Sequence, residues 1–179
     1  NLQTNKSSLP MNSKSNDAEG QFEYINFYSK GYFVIRAIES VLGRDVFDEA
    51  MKNYFARFAF AHPSIEEFSN HLNSFTNDEH YDEIKKLLYE NAYSDYSVSL
   101  AKTKDKGSVA VIKNKSLTDL PVKVFVEYSD NTEEIFTKKV DFDSIYLSRS
   151  DIRNITVDKE MRYMDVYYHD NSLNRGLSV

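Results

Sequence analysis

The sequence predicts an α+β chain of two modules: an antiparallel array of about four helices, followed by an antiparallel β-sandwich. Two observations carry this. Apolar residues recur at three- and four-residue steps up to Ala92 and at two-residue steps beyond it. The charge changes at the same place: residues 22–92 hold 12 acidic and 7 basic side chains, a net of −5, whereas residues 93–179 hold 14 and 13, a net of −1. The expected boundaries are a polar lead-in over 1–21, a helical module over 22–93 and a sandwich over 94–179.

The lead-in, "NLQTNKSSLPMNSKSNDAEGQ", is rich in Ser and Asn and could not bury enough apolar surface to order itself alone. Leu9, Pro10 and Met11 are its expected anchor on a larger surface. The first helix is expected from about Glu23 to Leu42, with Tyr24, Phe27, Gly31, Val34, Ile38 and Val41 as its stripe and Gly43 as its stop. Gly31 costs about 1 kcal/mol relative to alanine there, so it is expected to let another backbone approach closely. Asp45 is the expected N-cap of the second helix. Its face would be Phe47, Ala50, Met51, Tyr54, Phe55 and Phe58. His62 and Pro63 break it. Ser64 and Glu67 then form an S-x-x-E capping box, and Phe68, Leu72 and Phe75 face inward from the third helix. A fourth is expected from about Glu79 to Glu90, with Tyr81, Ile84, Leu87 and Leu88 buried.

Strands follow. Tyr96, Val98 and Leu100 alternate with polar residues; "SVAVI" (108–112) is a compact apolar strand; "PVKVFVEY" (121–128) puts Val122, Val124 and Val126 on one face. "SDNT" is a turn and "EEIFTKKVDF" its returning partner. "RNITVD" and "MRYMDVYYHD" read as two more strands. Six or seven short strands with turn signals between them point to a sandwich.

Several chemistries are excluded. The net charge of −6 argues against a nucleic-acid surface. There is no cysteine, hence no disulfide or thiol chemistry. No apolar run approaches the roughly 18 residues of a membrane span. The compartment stays open. The chain starts at Asn1 without a signal-peptide pattern, as expected of an excised piece or a processed product. His62, His71, His80 and His169 show no i, i+4 pair, so H-E-x-x-H is absent and solvated or capping roles are expected. No G-x-S-x-G or phosphate-binding glycine loop occurs. Glu66–Glu67 and Glu133–Glu134 read as solvated faces. Lys102, Lys104, Lys106, Lys113 and Lys115 read as the rim of an edge hairpin. By composition, Tyr28 is one of 13 tyrosines.

At "YSKG" followed by "VIRAIESVLGRDVFDEAMKNYFARFAFAHPSIEEFSNHL", the chain resembles the gluzincin aminopeptidase family of zinc peptidases, which includes the alanyl/leucyl aminopeptidases and leukotriene hydrolase. The resemblance runs from a Tyr-x-Lys-Gly motif through Leu42–Gly43 and an aromatic helix to the pattern Ser64–Phe68. It covers about Tyr24 to Tyr93. The second half is similar to the sandwich that follows the helices in such peptidases. The family's H-E-x-x-H, its downstream glutamate and its Gly-x-Met-x-Asn loop are missing, and all precede the tyrosine in the family. A tryptophan common late in its fourth helix is Leu87 or Leu88 here, and its Asp-Pro is Asp158–Lys159.

The resemblance implies the C-terminal part of a zinc metallopeptidase. Tyr28 is then the catalytic residue, donating to the oxyanion of the tetrahedral intermediate, with Lys30 and Gly31 as its structural setting. Zinc would belong to the full-length parent and not to this chain, which alone would be inactive. The implied partners are a peptide substrate and the missing N-terminal catalytic half. Two other readings are open: a non-catalytic scaffolding module of the same architecture, or an unrelated helical domain fused to an immunoglobulin-like sandwich. The last would bury Tyr28 in its own core.

Overall fold

In a computed structural model the described residues are 9–14, 28–90, 92–102, 108–116, 118–139, 142–163, 165 and 167–174. The chain divides into two compact units. The first runs to Ala92 and takes in residues 162–164; the second holds 93–161 and 165–179.

In the first unit, helix α1 (Gly31–Leu42) buries Val34, Ala37, Ile38 and Val41. These positions lie one turn apart on one face, as the stripe predicts. The expected start at Glu23 lies outside the described residues. Gly43, at φ +80, donates its N–H to the Glu39 carbonyl and ends α1. It is also the N-cap of α2 (Arg44–Phe58). Asp45 therefore sits in the first turn of α2 and not at its cap, where its carboxylate still meets the positive end of the helix dipole.

The buried face of α2 is narrower than its sequence predicts. Only Ala50 is fully buried; Phe47, Met51, Tyr54 and Phe58 are half-buried along the same stripe. Phe55 falls off the stripe and is 67% exposed. Tyr54 is the centre of a ring cluster, with Phe58 at 4.9 Å, Phe68 at 5.0 Å and His71 at 5.5 Å. Offset and edge-on arrangements of this kind contribute beyond their area.

Helix α3 (Ile65–Asn73) opens on a complete capping box. Ser64 Oγ accepts from the Glu67 N–H at 3.2 Å, and Glu67 Oε2 accepts from the Ser64 N–H at 2.7 Å. The Ser64 N–H and the Ser64 hydroxyl, which donates to the same oxygen at 3.0 Å, hold the Glu67 carboxyl below its ordinary range. Ser64→Ala should cost about 1 kcal/mol, measurable as a lower urea midpoint with an unchanged slope. Helix α4 (Asp78–Tyr89) is capped by Asn77, whose Oδ1 accepts from the His80 N–H at 3.0 Å. It buries Ile84, Leu87 and Leu88. Helix α1 packs on α2 and α4, and α3 on α2 and α4.

The second unit is two antiparallel sheets. One has the order β1 (Tyr96–Lys102), β2 (Ser108–Asn114), β5 (Phe142–Leu147). The other has the order β4 (Glu133–Lys139), β3 (Pro121–Tyr128), β6 (Ile152–Val157), β7 (Ser172–Asn174). β1 lies against β6 and β7 across the layer. Val122, Val124 and Val126 of β3 are fully buried, as are Ala110, Ile112, Ile155 and Val157. The segment "EEIFTKKVDF" divides: β4 pairs with β3, whereas Phe142 already belongs to β5, on β2.

Among its described residues, the stretch "MRYMDVYYHD" forms no strand. Met161 takes φ +49 at the end of a turn begun by Asp158 at φ +51, conformations a pleated strand does not allow. Asp165 then captures backbone donors that a ladder would use: the Tyr96 N–H at 2.9 Å and the Tyr167 N–H at 2.8 Å. Asp165 also makes one isolated parallel bridge with Ser94; a short 3-10 turn, Tyr168–Asp170, follows, and ladder pairing is seen again at β7. Arg162 and Tyr163 fall in the first unit. No helix among the described residues is long and apolar enough to cross a membrane.

Candidate functional site

Tyr28 lies in a wide, π-type turn, residues 28–30, that leads into α1. Such turns are uncommon and recur at functional sites. Tyr28 is 71% exposed and Tyr32, one turn on, is 57% exposed. Both phenols are thus exposed around the head of α1. The Tyr32 ring meets Phe33 edge-on at 5.3 Å, and the Arg36 guanidinium lies 5.9 Å from its centroid.

Lys30 is the opposite case. It is buried, and its Nζ donates to the Leu9 carbonyl at 2.6 Å. Burial, which penalises the charged form, pushes its pKa down to about 8. An unfolded lysine keeps its proton up to the ordinary 10.5. Between those values the unfolded chain binds more protons than the folded one, so stability should rise with pH from about 8 to 10.5. Below about 8 both states are protonated and this group adds no slope. Urea unfolding at a series of pH values should show that rise in the wild type and lose it in Lys30→Met.

Among the described residues no backbone comes within reach of a Cβ at Gly31. Among the described residues, the neighbour of a Cβ placed there is the Met11 methyl, at 3.5 Å, an ordinary contact. The approach is a side chain of the lead-in lying over the start of α1. The anchor expected at Leu9, Pro10 and Met11 is thus on the turn that carries Tyr28.

One cluster was not legible in the sequence. Glu39, buried on α1, has Arg44 Nη1 at 3.3 Å, Arg162 Nη1 at 3.4 Å and Arg36 Nη1 at 3.9 Å. Arg162 is over a hundred residues away in sequence, and no local pattern marks the pairing. It compensates a carboxylate that burial alone would penalise.

The histidines divide. His62 and His169 are exposed, but His71 is buried, with Nε2 2.8 Å from the Ala50 carbonyl oxygen. His71 is a core link between α2 and α3, neither solvated nor a cap. Among the described residues no three His, Asp or Glu side chains are grouped to hold a metal ion. The carboxylate pairs are engaged in structure: Glu67 in its capping box, Glu133 with Lys159 at 2.6 Å, and Glu134 accepting from the Tyr128 hydroxyl at 2.8 Å. In the lysine-rich rim, Lys113 and Lys115 are exposed. Lys104 and Lys106 lie outside the described residues.

A sequence profile of the Peptidase family M1 domain matches residues 2–93. No curated protein matches the chain. Among solved structures it is similar to the crystal structure of Legionella pneumophila aminopeptidase A in complex with aspartic acid, with a TM-score of 0.55 and 15% identity. That similarity covers 80% of this chain and 18% of the other, so the chain spans under a fifth of its structural relative.

Proposed function

The chain belongs to peptidase family M1, and from that premise we propose that it is part of a zinc-dependent aminopeptidase, to which it contributes the oxyanion-stabilising tyrosine, Tyr28. The observation that carries this is the exposure of Tyr28 at the head of α1. A phenol that served only the core of this unit would be covered by it. An exposed one can reach a reacting group supplied from outside.

In this reading the zinc would be held by residues outside this chain; among the described residues no three His, Asp or Glu side chains are grouped to hold a metal ion. Bound there, it would supply Lewis-acid activation of water and carbonyl. The part of Tyr28 is separate: its hydroxyl donates to the oxygen that becomes negative as water adds to the scissile carbonyl. A neutral, stiff donor aimed at developing charge stabilises the transition state more than the substrate, and only that difference raises the rate. Lys30 and Gly31 form the setting of the tyrosine. The peptide substrate and the catalytic half are partners of the longer protein, and the 179 residues alone are inactive.

The coding sequence upstream of Asn1 tests the zinc assignment. It should encode H-E-x-x-H followed by a glutamate ligand. A longer protein that lacks the motif would instead be a scaffolding module of this architecture.

A further inference from the structure

Lys30 is among the largest fully buried side chains of the chain. Burying an ammonium is costly, and an apolar side chain of similar length would fill the space without that cost. What the ammonium provides is reach. It bonds a carbonyl 21 residues earlier in the sequence. That carbonyl is well placed to receive it. Leu9 precedes Pro10, which biases it to extended backbone, and the Ser13 N–H donates to the Pro10 carbonyl at 3.1 Å, closing the next residues into a turn. Met11 adds its contact over Gly31. Residues 9–14 are therefore fastened to Tyr28–Gly31 by a polar contact and an apolar one.

Tyr28 needs such support. With 71% of it exposed, its own burial fixes it little. A catalytic donor must nonetheless be held to within a fraction of an ångström by the groups behind it. We propose that Lys30 is a positioning residue: its bond to the Leu9 carbonyl clips the 9–14 segment beneath the turn and fixes the direction of the Tyr28 phenol. This rests on the catalytic role given to Tyr28 above.

The test is steady-state kinetics of the longer peptidase carrying Lys30→Met, Lys30→Arg, Met11→Ala or Tyr28→Phe. Lys30→Met should lower kcat about tenfold or more, with KM within about twofold, because a misplacement of about 1 Å costs on that order or more. Lys30→Arg, which keeps a donor, should recover most of the loss. Met11→Ala should lower kcat about threefold by loosening the second fastening, and it decides the matter if Lys30→Met does not fold. Lys30→Met within about twofold of wild type beside an impaired Tyr28→Phe would overturn the clip and leave the role of Tyr28 standing. Wild-type activity in both variants would overturn the two together. A raised KM at unchanged kcat would also overturn the clip.

Discussion

In the longer peptidase, Tyr28→Phe should lower kcat about a hundredfold or more and leave KM nearly unchanged, the scale for losing one oxyanion donor. The substitution removes one oxygen and keeps the ring. Because the tyrosine is 71% exposed, its ring is not part of the core, and thermal stability should change little when one oxygen is removed. A fall in rate at constant thermal stability therefore reports on chemistry. The KM should hold because the carbonyl of the bound substrate carries little charge; the bond strengthens only as charge develops. Activity within about threefold of wild type would mean that Tyr28 has no such role.

The second large effect is on stability. Ile38→Ala should destabilise the helical unit by about 3 kcal/mol, within the range for truncating a fully buried isoleucine. Ile38 has no exposed surface and sits mid-way along α1, the helix that packs on both α2 and α4. A cavity there cannot be filled by collapse of one flexible neighbour. Amide exchange should show the loss in α1, α2 and α4. Equal losses in both units would show that they unfold as one body, and a change below about 1 kcal/mol would show that the site collapses around the smaller side chain.

Much of the fold is legible because its signals are local. The stripe of α1 from Val34 to Val41, the Ser64–Glu67 box and the alternation of Val122, Val124 and Val126 each need only a few neighbouring residues, and each stands as expected; Tyr24 and Phe27 of that stripe lie outside the described residues. Failures occur where a distant group decides. The segment 161–170 has aromatic residues enough for a strand, but Asp165 takes backbone donors from Tyr96 and Tyr167 and stops it. His71 reads as polar until the Ala50 carbonyl is placed beside it. Phe55 reads as part of a wide apolar face, yet the covered residues of α2 keep to the narrower stripe Phe47, Ala50, Met51, Tyr54 and Phe58, which leaves Phe55 out.

The site follows the same division. Tyr28, Lys30 and Gly31 could be singled out through a family motif, since composition distinguishes none of them. Their physical arrangement was not legible. That Lys30 is buried and bonded to Leu9, and that the neighbour of Gly31 is a methionine side chain, depend on a segment whose polar sequence carries no packing signal beyond Leu9, Pro10 and Met11.

The central claim is that Tyr28 stabilises the transition state and not the substrate. It is tested most directly by the affinity of a tetrahedral phosphinic peptide for the wild-type peptidase and for Tyr28→Phe, set beside the kinetics of the matching substrate. The analogue should bind the variant about a hundredfold more weakly, in proportion to the loss in kcat/KM, while KM stays constant. Equal affinity of the analogue for the two proteins would contradict it.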